Sequence, residues 1–148
     1  MPAEDDSLTP IEQLRQAFLM RWVKGAWEDR TSVSVAEFFH PECVVTGMSP
    51  DRLEGIDQVQ AVVNSLHARL EHTSAEVSFM MIRDEKYACV MDLQGTHYDS
   101  GLDVVLEVSV VGSLKDELIW QAHNVVDYTS MYARLGILDI EKLKANFG

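Results

Sequence analysis

His97 and Asp103 are the side chains in this sequence whose types and spacing favour acid–base chemistry. They flank Asp99-Ser100-Gly101, which has the composition of a turn, on two apolar segments typical of β-strands. Because glycine accepts positive φ, a three-residue hairpin loop closing on Gly101 would place His97 directly opposite Asp103. Opposed residues share one sheet face, with Cβ atoms about 4.5 to 5.5 Å apart. The sequence therefore predicts an imidazole beside a carboxylate, and an acid–base site if that face borders a cavity.

Three helices are predicted in the first half of the chain. The first begins at Thr9-Pro10-Ile11-Glu12, a capping box with proline at the first helical position, and Gly25 is its expected stop. A second capping box, formed by Ser34 and Glu37, opens a helix of barely two turns. A third helix is expected to begin at Asp57 and to turn an apolar side toward the core.

The second half of the chain changes to the period of extended strands. The predicted strands are residues 76–83, 87–98, 102–111 and 118–128, with a further short strand at 43–46. Connections between the four longer strands are too short for crossovers, so these strands form an antiparallel meander. Short closing helices are expected at 129–135 and 139–147, with Gly136 as a C-cap. Helices followed by strands predict an α+β fold, with helices packed on one face of a curved sheet.

A two-residue turn at Lys115-Asp116 would carry the pairing one strand further and set Glu107 opposite Asn124. The sheet face toward the helices would then present the candidate pocket residues Met91, His97, Asp103, Glu107, Trp120, Asn124 and Tyr128. Trp22, on the first helix, is expected to be core or pocket wall. A slip of one residue would exchange Asn124 for His123 on that face.

The opposite face of the predicted sheet is apolar as well. It would carry Val104, Leu106, Val108, Val110, Ile119, Gln121, His123, Val125 and Asp127. Because a sheet with two apolar faces is normally covered on both, we expect helices on one and a second copy of the chain on the other. The predicted partner is therefore a homodimer contact through the outer sheet face.

Composition limits the classes of protein to which this chain can belong. With 148 residues, 47% of them hydrophobic, the chain is predicted to be a single domain, 1–148, with an acidic and flexible start at residues 1–7. The formal net charge of −12 opposes binding to nucleic acid and to anionic membrane surfaces. No apolar run suits a spanning helix or a leader, so we expect a soluble, cytoplasmic protein.

The cysteines and histidines show no metal-ligand spacing. Cys43 and Cys89 lie in apolar contexts, and we expect buried free thiols in a reducing compartment rather than a disulfide or a zinc site. The chemistry predicted for His97 and Asp103 needs neither a metal nor a cofactor.

Several short motifs, in order along nearly the whole chain, resemble SnoaL-like proteins of the nuclear transport factor two superfamily. They are Phe38-Phe39-His40-Pro41-Glu42-Cys43-Val44, Leu53-Glu54-Gly55-Ile56, Gly95-Thr96-His97, Val125-Val126-Asp127-Tyr128, Met131 and Arg134-Leu135-Gly136. Two features depart from this resemblance: the short Asp99-Ser100-Gly101 turn replaces a longer excursion, and Glu107 stands where relatives usually carry glycine.

The resemblance implies a cone-shaped, strongly curved antiparallel sheet wrapped on N-terminal helices, the cystatin-like or SnoaL-like α+β barrel, usually assembled as a homodimer. In the cyclases that it resembles, a histidine and an aspartate matching His97 and Asp103 line the pocket. Asn124 falls where relatives often carry Asp or Asn. Such proteins include polyketide cyclases, ketosteroid isomerases, scytalone dehydratase and epoxide hydrolases, so the fold does not name a reaction.

Two functions follow from these observations. The first is a cofactor-independent cyclase, isomerase or dehydratase acting on an apolar carbonyl compound, with Asp103 as base, His97 as its partner, and Asn124, Tyr128 or Trp120 as donors to a developing enolate oxygen. The alternative is a non-catalytic module of the same fold that binds an apolar small molecule or dimerises.

Two structural alternatives bear on that choice. His97 and Asp103 can be a structural pair near a rim, outside any cavity. Glu107 can fill the pocket, or it can bond Asn124 or Tyr128 in a buried network. An open cavity with His97 and Asp103 inside would favour the enzyme, and a filled interior would favour the module.

Overall fold

The computed structural model describes residues 7–30 and 34–146, where three helices and two strands precede the four longest strands and two short helices follow them. The helices are α1 (Pro10–Lys24), α2 (Val35–Phe38), α3 (Ile56–Arg69), α4 (Tyr128–Arg134) and α5 (Ile140–Asn146). The strands are β1 (Phe39–Thr46), β2 (Leu53–Glu54), β3 (Leu70–Arg83), β4 (Lys86–His97), β5 (Asp103–Lys115) and β6 (Leu118–Val126). The predicted α+β class is confirmed, and residues 1–6 and 147 of the predicted start and closing helix lie outside the described residues.

The strands form one six-stranded sheet in the order β2-β1-β6-β5-β4-β3. The predicted meander is present, since β3, β4, β5 and β6 each pair antiparallel with the next strand. β1 joins it by running parallel to β6, which makes the sheet mixed rather than wholly antiparallel. β2 and β3 are the two edges, so the sheet is open and does not close into a barrel.

The capping box at the start of α1 also attaches this helix to the sheet. The Glu12 backbone N–H donates to Thr9 Oγ1 at 3.3 Å, and the Thr9 N–H donates to Glu12 Oε1 at 3.0 Å. The other oxygen, Oε2, accepts from the backbone N–H of Asp84 at 2.7 Å, in the turn between β3 and β4. These bonds to the ionised carboxylate lower the pKa of Glu12.

The predicted stop of α1 at Gly25 is confirmed, since the α-helix ends at Lys24 with Gly25 as its C-cap, but the chain does not leave helical geometry there. Gly25 keeps right-handed helical geometry with φ −63°, and the chain continues as one π-helical turn, Gly25–Asp29. Arg30 ends this turn with φ 58°, and its N–H donates to the Gly25 carbonyl at 2.8 Å. The π turn places the Trp27 side chain in the core, where it is 5% exposed, and this burial favours the extra turn beyond the end of the α-helix.

The predicted pairing of His97 with Asp103 is wrong, because the hairpin loop has four residues, 98–101, instead of three. Thr96 stands opposite Asp103, and the His97 N–H donates to the Leu102 carbonyl at 2.8 Å. His97 Nδ1 accepts hydrogen bonds from Ser100, from the hydroxyl at 2.8 Å and from the N–H at 3.3 Å. The imidazole thus stabilises the longer loop that moves it out of register with Asp103.

The turn between β5 and β6 is also displaced, to Asp116-Glu117 instead of Lys115-Asp116. Both turn residues have positive φ, 52° and 60°, as a type I′ turn requires. Each is held by a distant residue: His40 Nε2 donates to Asp116 Oδ2 at 3.2 Å, and Arg15 contacts both Glu117 carboxylate oxygens at 2.6 and 2.9 Å. These long-range contacts favour a turn that the local sequence disfavours.

The shift in the β4–β5 loop exchanges the faces predicted for β5. The residues facing the helices are Val104, Leu106, Val108 and Val110, all buried, whereas Asp103 and Glu107 are exposed on the outer face. A bulge after Ser113 adds to the second shift, so that Val110, not Glu107, stands opposite Asn124. The displaced turn moves the β5–β6 pairing by two residues and the bulge moves it by one. This odd total cancels the change of face from the β4–β5 loop, and Asn124 therefore lies on the inner face as predicted, buried to 9% exposure.

Adjacent valines test this register directly. Val104→Ala removes buried methyl groups and should lower the free energy of unfolding by about 1–3 kcal/mol. Val105→Ala makes the same change at a side chain that is 51% exposed and should alter it by less than about 0.5 kcal/mol. Urea denaturation of both variants checks the assignment, and a larger loss for Val105→Ala would show that the originally predicted register is correct.

Candidate functional site

An apolar cavity lies between α1, α3 and the inner face of the sheet. The volume of this cavity is about 90 Å³, which is room for several water molecules or one small ligand. Its walls are Leu19, Trp22, Val23, Trp27, Phe39, Val45, Met48, Leu53, Val59, Val62, Val63, Met80, Tyr87, Cys89, Met91, Leu93, Val108, Val110, Ile119, Ala122 and Asn124. Side chains of both helices and of all six strands therefore define the site.

Polar groups are scarce in this wall. Among the described residues that line the cavity, none is Asp, Glu, His, Lys or Arg. The Tyr87 hydroxyl donates to the Gln121 carbonyl at 3.1 Å, and burial raises its pKa above the ordinary tyrosine range. Burial also raises the pKa of the Cys89 thiol to about 11. At neutral pH the lining groups are therefore uncharged, and Asn124 contributes the one side-chain amide.

His97 and Asp103 do not meet and do not line this cavity. His97 is half-buried on the inner face, four residues along β4 from Leu93, a distance of about 13 Å at the rise of a strand. Asp103 projects to the outer face, where one carboxylate oxygen accepts from the Thr96 hydroxyl at 3.0 Å. The structure gives His97 the role of closing a loop and removes the geometric basis for the predicted acid–base pair.

Three further candidates lie away from the cavity. Glu107 is exposed on the outer face, opposite Asp92, and so neither fills the pocket nor bonds Asn124. Trp120 is half-buried, with Lys115 Nζ 5.1 Å from its ring centre. Tyr128 opens α4 instead of ending a strand, and its hydroxyl donates to the Met48 carbonyl at 2.5 Å.

Trp22, Met91 and Asn124 do line the cavity. The sequence analysis missed most of the remaining wall, although Val59 and Val63 were recognisable from the helical spacing of apolar residues in α3. Tyr87 and Cys89 were recognisable only as alternate residues of a strand, which does not show which face they occupy.

One end of the cavity wall is held by a cluster around His67 of α3. His67 Nε2 donates to the Ala26 carbonyl at 2.6 Å, and its ring meets that of Trp27 edge to face at 5.8 Å. Thr73 donates to the Trp27 carbonyl at 2.5 Å, and Arg30 donates to the Leu70 carbonyl at 2.8 Å. Burial of the imidazole, together with the charge of Arg30, lowers the pKa of His67 despite the bond to Ala26.

Within residues 7–30 and 34–146, no three His, Cys, Asp or Glu side chains are placed to hold a metal ion. No helix there is long and apolar enough to cross a membrane. Both cysteines are buried and free.

The sequence profile of the SnoaL-like domain matches residues 19–122, more than half of the chain. The chain therefore belongs to the SnoaL-like domain family, as its motifs indicated. No curated protein was found to match it.

Solved structures with the same fold include three bacterial proteins. A predicted SnoaL-like polyketide cyclase of Jannaschia sp. CCS1 is 16% identical with a TM-score of 0.79, covering 90% of this chain and 99% of its own. A predicted polyketide cyclase of Bacillus cereus ATCC 10987 is 14% identical with a TM-score of 0.76, covering 91% and 89%. AclR, a predicted hydroxylase of Streptomyces galilaeus, is 18% identical with a TM-score of 0.73, covering 86% and 88%. At these identities the likeness is one of fold.

The lowered pKa of His67 predicts acid-sensitive stability. As the pH falls through the unfolded-state pKa, about 6.5, the unfolded chain takes up the proton first, so the free energy of unfolding falls below that pH. His67→Gln removes this titration while offering Ala26 a similar donor. We expect the melting temperature of the wild type to drop more between pH 7.5 and 5.5 than that of His67→Gln.

Differential scanning calorimetry at both pH values measures this difference. His72→Asn is the control, because His72 is exposed in β3 and asparagine tolerates its positive φ of 49°. An equal drop for the wild type and His67→Gln would show that His67 does not titrate in this range.

Proposed function

We propose that this protein binds a small apolar ligand in the cavity between the helices and the sheet. The observation that carries the proposal is the wall itself: a space lined by aliphatic, aromatic and methionine side chains, with Asn124 as the one amide. Ligand sites typically combine such walls with a small number of polar groups that orient the ligand. At about 90 Å³ the space is smaller than an engineered 150 Å³ cavity known to bind benzene, so the ligand is no larger than a five- or six-membered ring.

Binding without catalysis agrees best with the groups available. A general acid or base works best when its pKa is near the operating pH. Burial moves the pKa of both Tyr87 and Cys89 upward, away from neutrality. The two residues expected to supply acid–base chemistry, His97 and Asp103, lie outside the cavity on opposite faces of the sheet. The wall can therefore enclose an apolar molecule but holds no group suited to moving its protons at neutral pH.

Catalysis by the same cavity is the second candidate. Membership of the SnoaL-like family supports it, as do related structures named as predicted cyclases and a predicted hydroxylase. The polar groups nearest to such a role are Asn124 in the wall and Tyr128, whose hydroxyl contacts the carbonyl of the wall residue Met48. Turnover of a carbonyl compound that is lost in Asn124→Leu or Tyr128→Phe but kept in Asp103→Asn and His97→Ala would favour this candidate.

A cavity-filling variant tests the binding proposal. Ala122→Leu places a larger side chain, pointing inward from β6, into the cavity, and it should weaken binding of benzene and thiophene at least tenfold. A ligand whose free concentration is five times its dissociation constant raises the free energy of unfolding by about 1 kcal/mol. This corresponds to a rise of about 2–4 °C in the melting temperature. Thermal shift and methyl NMR titrations measure both effects.

Three matched variants accompany that experiment. Ala61→Leu makes the same change at an exposed position of α3 and should leave binding unaltered. His97→Ala and Asp103→Asn should also bind within about twofold of wild type, because neither side chain lines the cavity. Normal binding by Ala122→Leu, or loss of binding in His97→Ala, would contradict the proposal.

We also propose that two copies associate through the outer face of the sheet. This face presents an apolar band formed by Phe79, Met81, Val111 and Val125, which are 47%, 59%, 53% and 64% exposed. Large side chains exposed side by side on a sheet are typical of a contact surface. A second copy is the occupant favoured here, because the charges on either side of the band are complementary to each other.

The charges lie in rows that cross neighbouring strands. On one side of the band, Asp92 stands between Glu76 and Glu107, so three carboxylates are adjacent. Like charges directly opposite in a sheet repel each other. On the other side Arg83 stands opposite Lys86. None of these five residues forms an ion pair with another described residue.

A two-fold axis that lies between the two facing sheets, perpendicular to their strands, would bring the carboxylate row of one copy over the Arg83 and Lys86 row of the other. The first four outer positions of β4 are, in order, Lys86, Ala88, Val90 and Asp92. An axis passing between Ala88 and Val90 places Lys86 of one copy over Asp92 of the other, and the apolar bands over each other. An axis along the strands would instead stack the carboxylate rows, which is repulsive. The perpendicular axis is therefore the one that we propose.

Charge exchange across the axis gives a direct test. Lys86→Glu and Asp92→Lys should each weaken dimerisation about tenfold or more, because each substitution acts twice in a two-fold contact. The double variant Lys86→Glu/Asp92→Lys should restore it. Analytical ultracentrifugation measures the dissociation constants, with Glu85→Lys in the β3–β4 turn as the control. Stronger association of Asp92→Lys alone would contradict this axis and favour the one along the strands.

A further inference from the structure

We infer that the ligand of the cavity carries a hydroxyl or N–H group, and that Asn124 accepts its hydrogen bond through Oδ1. This inference rests on the proposed binding function and adds the chemical class of the ligand. It assigns Asn124 the role of an acceptor, the opposite of the donor role that the sequence analysis expected.

The orientation of the Asn124 amide follows from its partners. Nδ2 donates to the Thr46 carbonyl at 3.1 Å and lies 3.5 Å from the Ala122 carbonyl. Carbonyl oxygens accept hydrogen bonds and cannot donate them, so the nitrogen must face these two groups. Both amide hydrogens are thereby directed at the backbone. The oxygen, Oδ1, is the polar atom that remains for a ligand.

No donor within the described residues reaches Oδ1 of Asn124. The side chain is 9% exposed and lines the cavity. Every side-chain N or O atom that the described protein encloses completely has a hydrogen-bond partner. Oδ1 therefore retains accessible surface, and the inward direction of Asn124 opens that surface to the cavity. An acceptor in an apolar space gains from a ligand that can donate to it.

The backbone around Asn124 keeps the amide in this position. Gly47 follows β1 with φ 86°, and a Cβ atom there would lie 1.7 Å from the Asn124 carbonyl oxygen. Only a residue without a side chain permits this approach, which brings the end of β1, and with it the Thr46 carbonyl, against Asn124. The acceptor is therefore positioned before any ligand arrives.

The chemical class follows from size, polarity and charge together. The cavity has room for at most a five- or six-membered ring, its wall is apolar, and Asn124 Oδ1 is an amide acceptor without a donor among the described residues. Small alcohols, phenols, azoles and neutral amines with an N–H meet these conditions. An ether or a ketone of the same shape would leave Oδ1 without a partner, and a carboxylate would be repelled by it.

Pyrrole and furan differ at one ring atom and provide the test. Pyrrole presents an N–H, whereas furan of nearly the same shape presents an oxygen. We expect wild-type protein to bind pyrrole about 3- to 10-fold more tightly than furan, the range of one net hydrogen bond. Asn124→Leu removes the acceptor and should abolish the preference. Titrations followed by methyl NMR measure the dissociation constants.

The outcomes separate this inference from the proposal on which it rests. Equal binding of pyrrole and furan by wild type would overturn the acceptor role and leave the binding function standing. Tighter binding of furan would show that the amide is reversed, which also overturns it. If neither compound nor any ring of the thiophene and benzene series binds, both proposals fail. The wild-type comparison decides the matter even if Asn124→Leu does not fold.

Discussion

The interior of this protein depends on the register of two neighbouring hairpins. Side chains alternate between the faces of a strand, so a shift of one residue exchanges everything that β5 presents to the helices. With Thr96 opposite Asp103, the valines of β5 fill the interior and its carboxylates face outward. The opposite parity would have placed Asp103 and Glu107 under the helices. An apolar cavity in place of a charged one therefore results from a single register.

Periodicity was enough to predict the class of fold and most of its elements. The capping box of α1, the meander and the αL conformation of Gly136 follow from local chemistry, and local chemistry can be recognised in a sequence. The register of the β5–β6 hairpin could not be predicted in this way, because the contacts that hold its turn join distant residues. Arg15 and His40 hold the β5–β6 turn across gaps of 102 and 76 residues. No pattern within the hairpin reveals such partners.

The candidate site was predictable to a similar extent. The sequence placed Asn124 on the correct face because two errors of register, each an odd number of residues, cancelled in β6. The correct position therefore did not follow from a correct register. His97 was recognised as a chemically capable residue, and the structure uses its capacity to accept hydrogen bonds from Ser100 in a loop. Residue type alone does not distinguish a catalytic histidine from one that closes a loop. Neighbouring groups, rather than residue type, separate a module that encloses a ligand from an enzyme that transforms one.

The open sheet leaves β3 as a long edge, which is the kind of surface on which further strands can add and aggregates can grow. Two irregularities in its pairing with β4 and the left-handed residue His72 interrupt the straight run of backbone that such growth needs. Cations from the helical segment occupy two of its carbonyls, Arg30 that of Leu70 and Lys24 that of Ala75. Loss of these two side-chain hydrogen bonds would expose the edge of β3 and favour fibrous self-assembly over the native state.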